Sequence, residues 1–444
     1  MTDILAAPKG SGWPSILLAR AKAKDPTDLD AAILSGSFVG LRKAVAELGP
    51  VGTIAEVAAS GLRGRGGAGY LAADKWRVAA ALDAPRRYVV ANGYGADPAV
   101  ATDRTLMERD PFSVLEGLAI VALAIDAREA IVAVRADATE AVAALRAALA
   151  AAEDAGLVGP DSLGPGRDLT MRVETVQGAY MLGEETVLLK ALEGKRGQPE
   201  QRPPHPAERG LYGAPTVVQN VQTLAALPWI LTNGAAKYAA IGPLDSPGTV
   251  LVHVRGARRS GVAEIPLGTT LREIVALGGE PDGGHRLKAV LVGGPSGGLL
   301  PPEALDTPFD YAPLRAAGAH VGSGSVIVAD ERACIVDLAR VLTRFCSDEA
   351  CGKTIPCRIG LRRLSEIGDR VASGRPRPTD LGLLADLAHD ITESGLCDHE
   401  RLATLPYLSG MRYFRSELDE HILRSSCPAG VCHPIAVAAG AAAH

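Results

Sequence analysis

The sequence predicts three parts in order: an α/β unit on a parallel sheet, a small α+β unit, and an all-helical C-terminal unit. Three observations predict this. Short apolar runs alternate with helical patterns as far as about residue 176. The register changes after Leu227 to Leu231, LPWIL. From Ala333 onward no strand pattern appears. Strand and helix alternate in a parallel sheet because each crossover consumes a helix that covers a face. The expected boundaries are 1–240, 247–331 and 332–444.

The elements follow in chain order. Residues 27–60 read as helices broken at Ser35 and Gly36, with Val39, Ala44 and Leu48 near helical spacing. Gly61 to Tyr70, GLRGRGGAGY, holds five glycines in ten residues. RYVVANGYG, 87–95, is an apolar run stopped by glycines and reads as a buried strand. FSVLEGLAIVALAI, 112–125, is a helix, and AIVAVRAD, 130–137, the next strand. Thr139 to Glu153 is alanine-rich and helical, and LTMRVETV, 169–176, is a strand again. GTVLVHVRG, 248–256, and GVAEIPLGTTLREIVALGG, 261–279, read as a hairpin followed by a helix. KAVLVGGPSGGLLP, 288–301, and SVIVADE, 325–331, are further strands. Beyond Ala333, CIVDLARVLTRFC, RIGLRRLSEIGDRV and TDLGLLADLAHDI are helical, with Arg375 to Pro378 a loop between helices. The closing AVAAGAAAH reads as a frayed tail.

At 444 residues, two to four domains are expected, and 47% hydrophobic residues allow a large core. Aromatics at 4% argue against a stacking platform for single strands. Forty-six basic against 51 acidic residues give a net charge of −5 with no basic tract, which argues against nucleic acid or an anionic membrane surface. Leu118 to Ile125, bounded by Glu116 and Asp126, falls short of the roughly 20 residues a membrane span needs, so no direct membrane insertion is expected. The N-terminal residues show no basic-then-apolar run, and a cytoplasmic location is expected. All seven cysteines follow residue 333. A disulfide framework is not distributed this way; a metal or cluster module in a reduced setting is.

Two stretches carry chemistry. Glycines at 61–70 let a ligand approach the backbone, their amides form an anion nest, and Arg63 and Arg65 add charge. A plain glycine turn is the competing reading. Lys75 and Trp76 close behind favour a phosphate-bearing cofactor. Gly178 to Pro199 is the second stretch. Glu184 and Glu185 open a helix there, where negative charge also simply complements the dipole. Gly178-Ala179-Tyr180 before them, Gly194-Lys195-Arg196-Gly197 after them, and LYGAPTVVQNVQTLA, 211–225, shift the weight to function.

The strings GLRGRGGAGY, GAYMLGEET, LEGKRGQP and LYGAPTVVQNVQTL resemble the flavoprotein subunit of respiratory complex I. They also resemble the related diaphorase subunits of NAD-reducing hydrogenases and formate dehydrogenases. The resemblance covers about residues 30–425. It implies a Rossmann-like FMN domain, a β-grasp domain of the soluble-ligand-binding type, and a helical bundle with one 4Fe–4S cluster. It implies NADH, or NAD(H) in either direction, as substrate. A thioredoxin-like 2Fe–2S subunit and further redox subunits are implied as partners. A flavin stands between a two-electron donor and a one-electron acceptor because it can exchange electrons both ways. By position, Gly64, Arg65, Gly66, Gly67, Ala68 and Lys75 would cradle FMN, and Asn92 would face the ring. Tyr180, Gly183, Glu184 and Glu185 would line the nicotinamide side, with Tyr180 and Glu184 at the reacting centre. Asn220 and Thr223 would hold the phosphate end. Tyr70 and His205 would flank the adenine.

The sequence also departs from that family. Its acidic run, Asn-Ala-Asp-Glu-Gly-Glu-Pro, reads here Asn92-Gly93-Tyr94-Gly95-Ala96-Asp97-Pro98. Only Asp97 keeps a carboxylate, which puts dinucleotide binding in question. Tyr94 either stacks on a ring or fills space. The cluster set reads Cys351, Thr354, Cys357 and Cys397, with threonine at the middle position. Hydroxyl is a poor iron ligand beside thiolate. Three outcomes are open: a 3Fe–4S cluster; a 4Fe–4S cluster completed by water, Thr354 or Cys346; or an empty site. Cys334 and Cys346 sit at helical positions and read as core. Cys427, Cys432 and His433 are compatible with zinc or a cluster, one ligand short, which His421 or a partner chain could supply. A free or disulfide-prone pair is the competing reading. The leading function is an FMN-dependent NADH dehydrogenase subunit of a larger redox complex. The rivals are a diverged scaffold or ligand-binding subunit, and an FMN protein with another donor.

Overall fold

The computed structural model describes residues 2–432. Contacts group the chain into two compact units. The first takes the residues up to Gly178, Leu182–Val252 and Val262–Thr269; the second takes Ala179–Met181, His253–Gly261 and the chain from Thr270.

In the first unit four parallel strands lie in the order β3-β2-β1-β4: β1 Tyr88–Gly93, β2 Glu129–Arg135, β3 Thr170–Val176 and β4 Thr216–Asn220. Helix α1, Ala72–Ala81, precedes the sheet. Helices α2, Thr102–Arg109, and α3, Pro111–Ile125, connect β1 to β2. Helix α4, Thr139–Asp154, connects β2 to β3, and α5, Glu185–Leu192, lies on the return to β4. Helix α6, Val221–Asn233, follows β4 directly. The chain thus lays β2 and β3 on one side of β1 and then returns to place β4 on the other. That reversal makes a topological switch point between β1 and β4.

Every residue of helix α3 is buried, as its nearly all-apolar sequence allows, with Ser113 and Glu116 the polar exceptions. Pro111 at its start and the Asp110 carboxylate on the Ser113 amide fix its first turn. A Cβ at Gly117 would stand 2.1 Å from the Leu224 carbonyl, so glycine there is what lets α6 cross so closely. Glu116, also fully buried, accepts the amides of Phe38 and Leu41, and burial pushes its carboxyl up to about 7.

A second, mixed sheet has the order β6-β5-β9-β7-β8, with β5 Thr249–Arg255, β6 Gly261–Pro266, β7 Leu287–Val292, β8 Gly298–Leu300 and β9 Ser325–Asp330. In the second unit His253 to Arg255 run parallel to Ser325 to Ile327, while β7 is antiparallel to β9 and β8. Helix α7, Leu271–Gly278, opens with a capping box of Thr270 and Glu273. A short helix, Tyr311–Ala317, precedes β9, and among the described residues six α-helices follow that strand: α8 Ile335–Asp348, α9 Arg362–Ala372, α10 Asp380–Ser394, α11 Asp398–Leu402, α12 Leu405–Tyr413 and α13 Arg415–Arg424. Ile335, Leu364, Leu384, Ile391 and Tyr407 form part of the core between them.

Two expectations need correction. Strand β4 is absent from the expected strands, since it is only five residues long and runs straight into a helix. The run 288–301 is not one strand: Gly293, at φ 106, and a 3-10 turn at Gly294–Ser296 fold it into β7 and β8. No helix among the described residues is long and apolar enough to cross a membrane. His433 and the tail AVAAGAAAH lie outside the described residues.

Candidate functional site

In open parallel sheets, ligands bind outside the carboxyl ends of the strands where the order reverses. Here those ends carry Asn92 on β1 and Asn220 on β4, which are register partners. The glycine loop lies over them. A Cβ on Gly66 would rest 3.5 Å from Asn220 Cβ, and the Arg65 amide donates to Thr223 Oγ1 at 2.9 Å. The loop is pinched at its base by a bridge between Arg63 and Leu71 and by the Gly64 amide on the Tyr70 carbonyl. Gly67 and Gly69 take φ of 103° and 71°, which L side chains rarely adopt.

Asn220 caps α6 by accepting the Gln222 amide, and its Nδ2 donates to Asp103. Gln222 Nε2 donates to the same carboxylate at 2.7 Å. Burial pushes the Asp103 carboxyl up, against the pull of those two amides. Asn92 donates to the Gly183 carbonyl at 2.9 Å. Glu184 caps α5 through the Val187 amide. Lys75 Nζ meets Glu185 at 2.5 Å, and Arg202 pairs with both Glu184 and Glu185. Tyr70 and His205 are exposed rings of this unit. A glycine cradle, a helix N-terminus and a lysine beside a carboxylate pair suit the phosphate and ring of FMN.

Some expected residues do other work. The Arg65 guanidinium is buried and donates to the carbonyls of Thr249 and Pro247 and to the Tyr238 hydroxyl. Its charge therefore anchors the loop from within, in place of the anion-facing role read from the sequence. Thr223 is fully buried under the loop. Tyr94 is buried too, with its hydroxyl on the Gly178 carbonyl, so it fills space. Tyr180 groups with the second unit, edge-on to Phe345 at 5.4 Å and beside His399 at 5.7 Å. Asp103, Gln222 and Arg202 escape a reading of the sequence: each is recognisable only through a partner distant along the chain.

The second unit holds two cysteine groups. In the first, the Cys357 thiol donates to Cys351, which draws Cys351 down to about 6 and holds Cys357 up. The Thr354 hydroxyl donates to Glu400, whose charge acts against ionisation of both thiols. Glu400 is fully buried and also accepts the Leu396 amide at 2.7 Å. Cys397 precedes α11, the helix that carries Glu400. The Thr354–Glu400 bond ties the segment of Cys351 and Cys357 to the helix that Cys397 precedes, and three thiols are donors of the kind an iron–sulfur cluster takes. Cys346 is buried, with its thiol directed at the Pro295 carbonyl.

In the second group, Cys334, His421, Cys427 and Cys432 bring one ligand atom each within 4.8 Å of one another. Cys334 is thus not merely core, because its sulfur lies 3.4 Å from His421 Nε2 and 3.8 Å from Cys432. His421 Nε2 is 3.5 Å from Cys432, and Nδ1 is held by the Glu417 carbonyl at 2.8 Å. Burial disfavours the charged ring, yet the Cys334 and Glu417 bonds outweigh it and push His421 up to about 9. Tetrahedral zinc, with Zn–S near 2.3 Å, sets its sulfurs about 3.8 Å apart. The donors present fit that ion closely.

Fold and sites together define a two-cofactor redox protein of the flavin and iron–sulfur kind. Residues 57–229 match the Nuo51 FMN-binding domain, and residues 337–421 the NADH-ubiquinone oxidoreductase-F iron-sulfur binding region. The chain is 40% identical to the NADP-reducing hydrogenase subunit HndC of Solidesulfovibrio fructosivorans, over 92% of this chain and 83% of that one. It is 39% identical to an NADH-quinone oxidoreductase subunit of Streptomyces coelicolor, over 88% and 87%. Its fold is similar to a chain in the crystal structure of an NAD+-reducing NiFe hydrogenase in the H2-reduced state, with a TM-score of 0.81 and 31% identity over 95% of this chain and 68% of that one. The chain belongs to the NADH-ubiquinone oxidoreductase-F family. It is an FMN-dependent, NADH-oxidising electron-transfer subunit.

Proposed function

We propose that the crevice at the β1/β4 switch point is the FMN site. The register pairing of Asn92 with Asn220 beneath Gly66 carries this reading. The loop amides and the α6 N-terminus receive the phosphate, and Lys75 supplies the positive charge beside it. FMN held there would supply the exchange between a two-electron hydride and single electrons. No side chain has to move a proton for that; the chain's task is positioning. Asn92 holds the Gly183 carbonyl, which fixes the turn into α5. Glu184 and Glu185, balanced by Lys75 and Arg202, set the field at the mouth. Tyr70 and His205 present exposed planar faces to an adenine. Tyr94, tied to Gly178, maintains the loop whose acids are absent, and Asp97 remains beside it.

Cys351, Cys357 and Cys397 hold the cluster that accepts those electrons, and a thioredoxin-like 2Fe–2S subunit receives them. Cys334, His421, Cys427 and Cys432 hold a structural zinc. The strands β5 to β9 with α7 form a β-grasp domain. The test is a visible titration of the full chain reconstituted with FMN. Stoichiometric NADH should bleach the flavin band under argon, and ferricyanide should restore it. A chain that takes up FMN yet keeps the band under excess NADH defeats the NADH reading alone.

A further inference from the structure

We propose that Glu400 is the fourth cluster anchor, so that Cys351, Cys357 and Cys397 hold three irons and a carboxylate holds the last. This rests on the reading of the helical unit as an iron–sulfur carrier and names its unusual ligand. Thr354 stands where the fourth thiolate is expected, but its hydroxyl is already committed. It donates to Glu400 Oε1 and accepts the Cys357 amide at 3.3 Å. Glu400 is therefore held against the residue that stands in the fourth thiolate's place.

The carboxylate's surroundings point the same way. Glu400 is fully buried, and its two donors, the Thr354 hydroxyl and the Leu396 amide, are neutral. A buried charge with only neutral donors costs several kcal/mol unless a cation lies near. An iron ion ligated directly by the carboxylate oxygen relieves that cost. Cys397 and Glu400 are three residues apart, the spacing that sets Cys351, Thr354 and Cys357 from one another.

Oxygen binds iron less firmly than thiolate does, so the Glu400 iron is the labile one. Ferricyanide would then convert the four-iron cluster to a three-iron cluster: one electron returns the dithionite-reduced cluster to its 2+ state, a second leaves as one ferrous ion departs, and all four sulfides stay. Glu400 keeps its Thr354 bond when the ion has gone.

The experiment uses the full chain, reconstituted anaerobically with ferrous iron and sulfide, and read by EPR after dithionite and after ferricyanide. A chelator traps released iron. The wild type is expected to show a four-iron signal when reduced. Ferricyanide should convert it to the near-isotropic three-iron signal with release of ferrous ion. Glu400→Gln, which keeps shape and a Thr354 bond, should lower the four-iron signal about tenfold and leave three-iron cluster from the outset. The double variant Thr354→Cys, Glu400→Gln should restore a four-iron signal that survives ferricyanide, which also shows that the fold is intact. An undiminished four-iron signal in Glu400→Gln overturns the proposal while leaving the cluster reading standing. A wild type that takes up no cluster overturns both.

Discussion

The Lys75 ammonium lies 2.5 Å from the Glu185 carboxylate, an ion pair joining two stretches 110 residues apart. Glu185 has a second cation in Arg202, so it does not depend on Lys75 for its charge balance. Lys75 is therefore the member free to turn towards a phosphate. Lys75→Ala should weaken FMN binding by about tenfold or more, the loss of one charge-assisted hydrogen bond. Glu185→Gln should retain FMN but lower NADH–ferricyanide turnover. Flavin fluorescence titration of both variants checks this; equal dissociation constants for wild type and Lys75→Ala would refute the placement.

Arg65 offers a contrast. Its guanidinium donates to two carbonyls and the Tyr238 hydroxyl and is 1% exposed. Lysine cannot span that fork. Arg65→Lys should destabilise the flavin-free protein by roughly 1–3 kcal/mol, because carbonyls are left without donors. Urea unfolding of the apo-protein measures it. If Arg65→Lys unfolds like wild type and only FMN binding falls, the anchoring role is wrong.

The parallel sheet was legible because Val89 to Ala91 and Ile131 to Val134 are continuous apolar runs between glycines and helices. The glycine loop was legible as an unusual local composition. Strand β4 was not, since Thr216 to Asn220 is bounded by Pro215 and a helix and offers no alternation. Cys334 read as core because sequence spacing sees only its helical neighbours, while its partners His421 and Cys432 are 87 and 98 residues away. The pairing of Thr354 with Glu400, 46 residues on, was hidden for the same reason. Arg65 was misjudged in its side chain, not its position, because direction into the protein is set by Thr249 and Tyr238, which no local pattern announces.

Cys334, His421, Cys427 and Cys432 should together hold one zinc per chain. With sulfur–sulfur and sulfur–nitrogen separations of 3.8, 3.4 and 3.5 Å, little rearrangement is needed to bind it. Cys334→Ser and His421→Ala should each lose the metal, while Cys346→Ser should keep it. Because binding energy of a structural zinc is folding energy, chelation should lower the melting temperature of the wild type and not that of Cys334→Ser. Metal analysis after dialysis decides it: a wild type free of zinc, or Cys334→Ser with full zinc, ends the assignment.

Glu116 makes stability depend on pH in the direction opposite to most carboxylates. Burial raises its carboxyl to about 7 from the ordinary 4.5, and the Phe38 and Leu41 amides only partly oppose this. Between those values the folded protein keeps a proton that the unfolded chain has released. Stability from this group is therefore fully present below about pH 4.5 and is lost as pH rises through about 7. The ceiling is on the order of 3 kcal/mol, from about 1.36 kcal/mol for each pH unit. Glu116→Gln cannot ionise and gives up one of two acceptors, so it should be less stable than wild type at about pH 5. That deficit should shrink or reverse at about pH 8. Unfolding free energies of both proteins across that range test it, and parallel curves would mean that Glu116 ionises in the folded protein as it does in water.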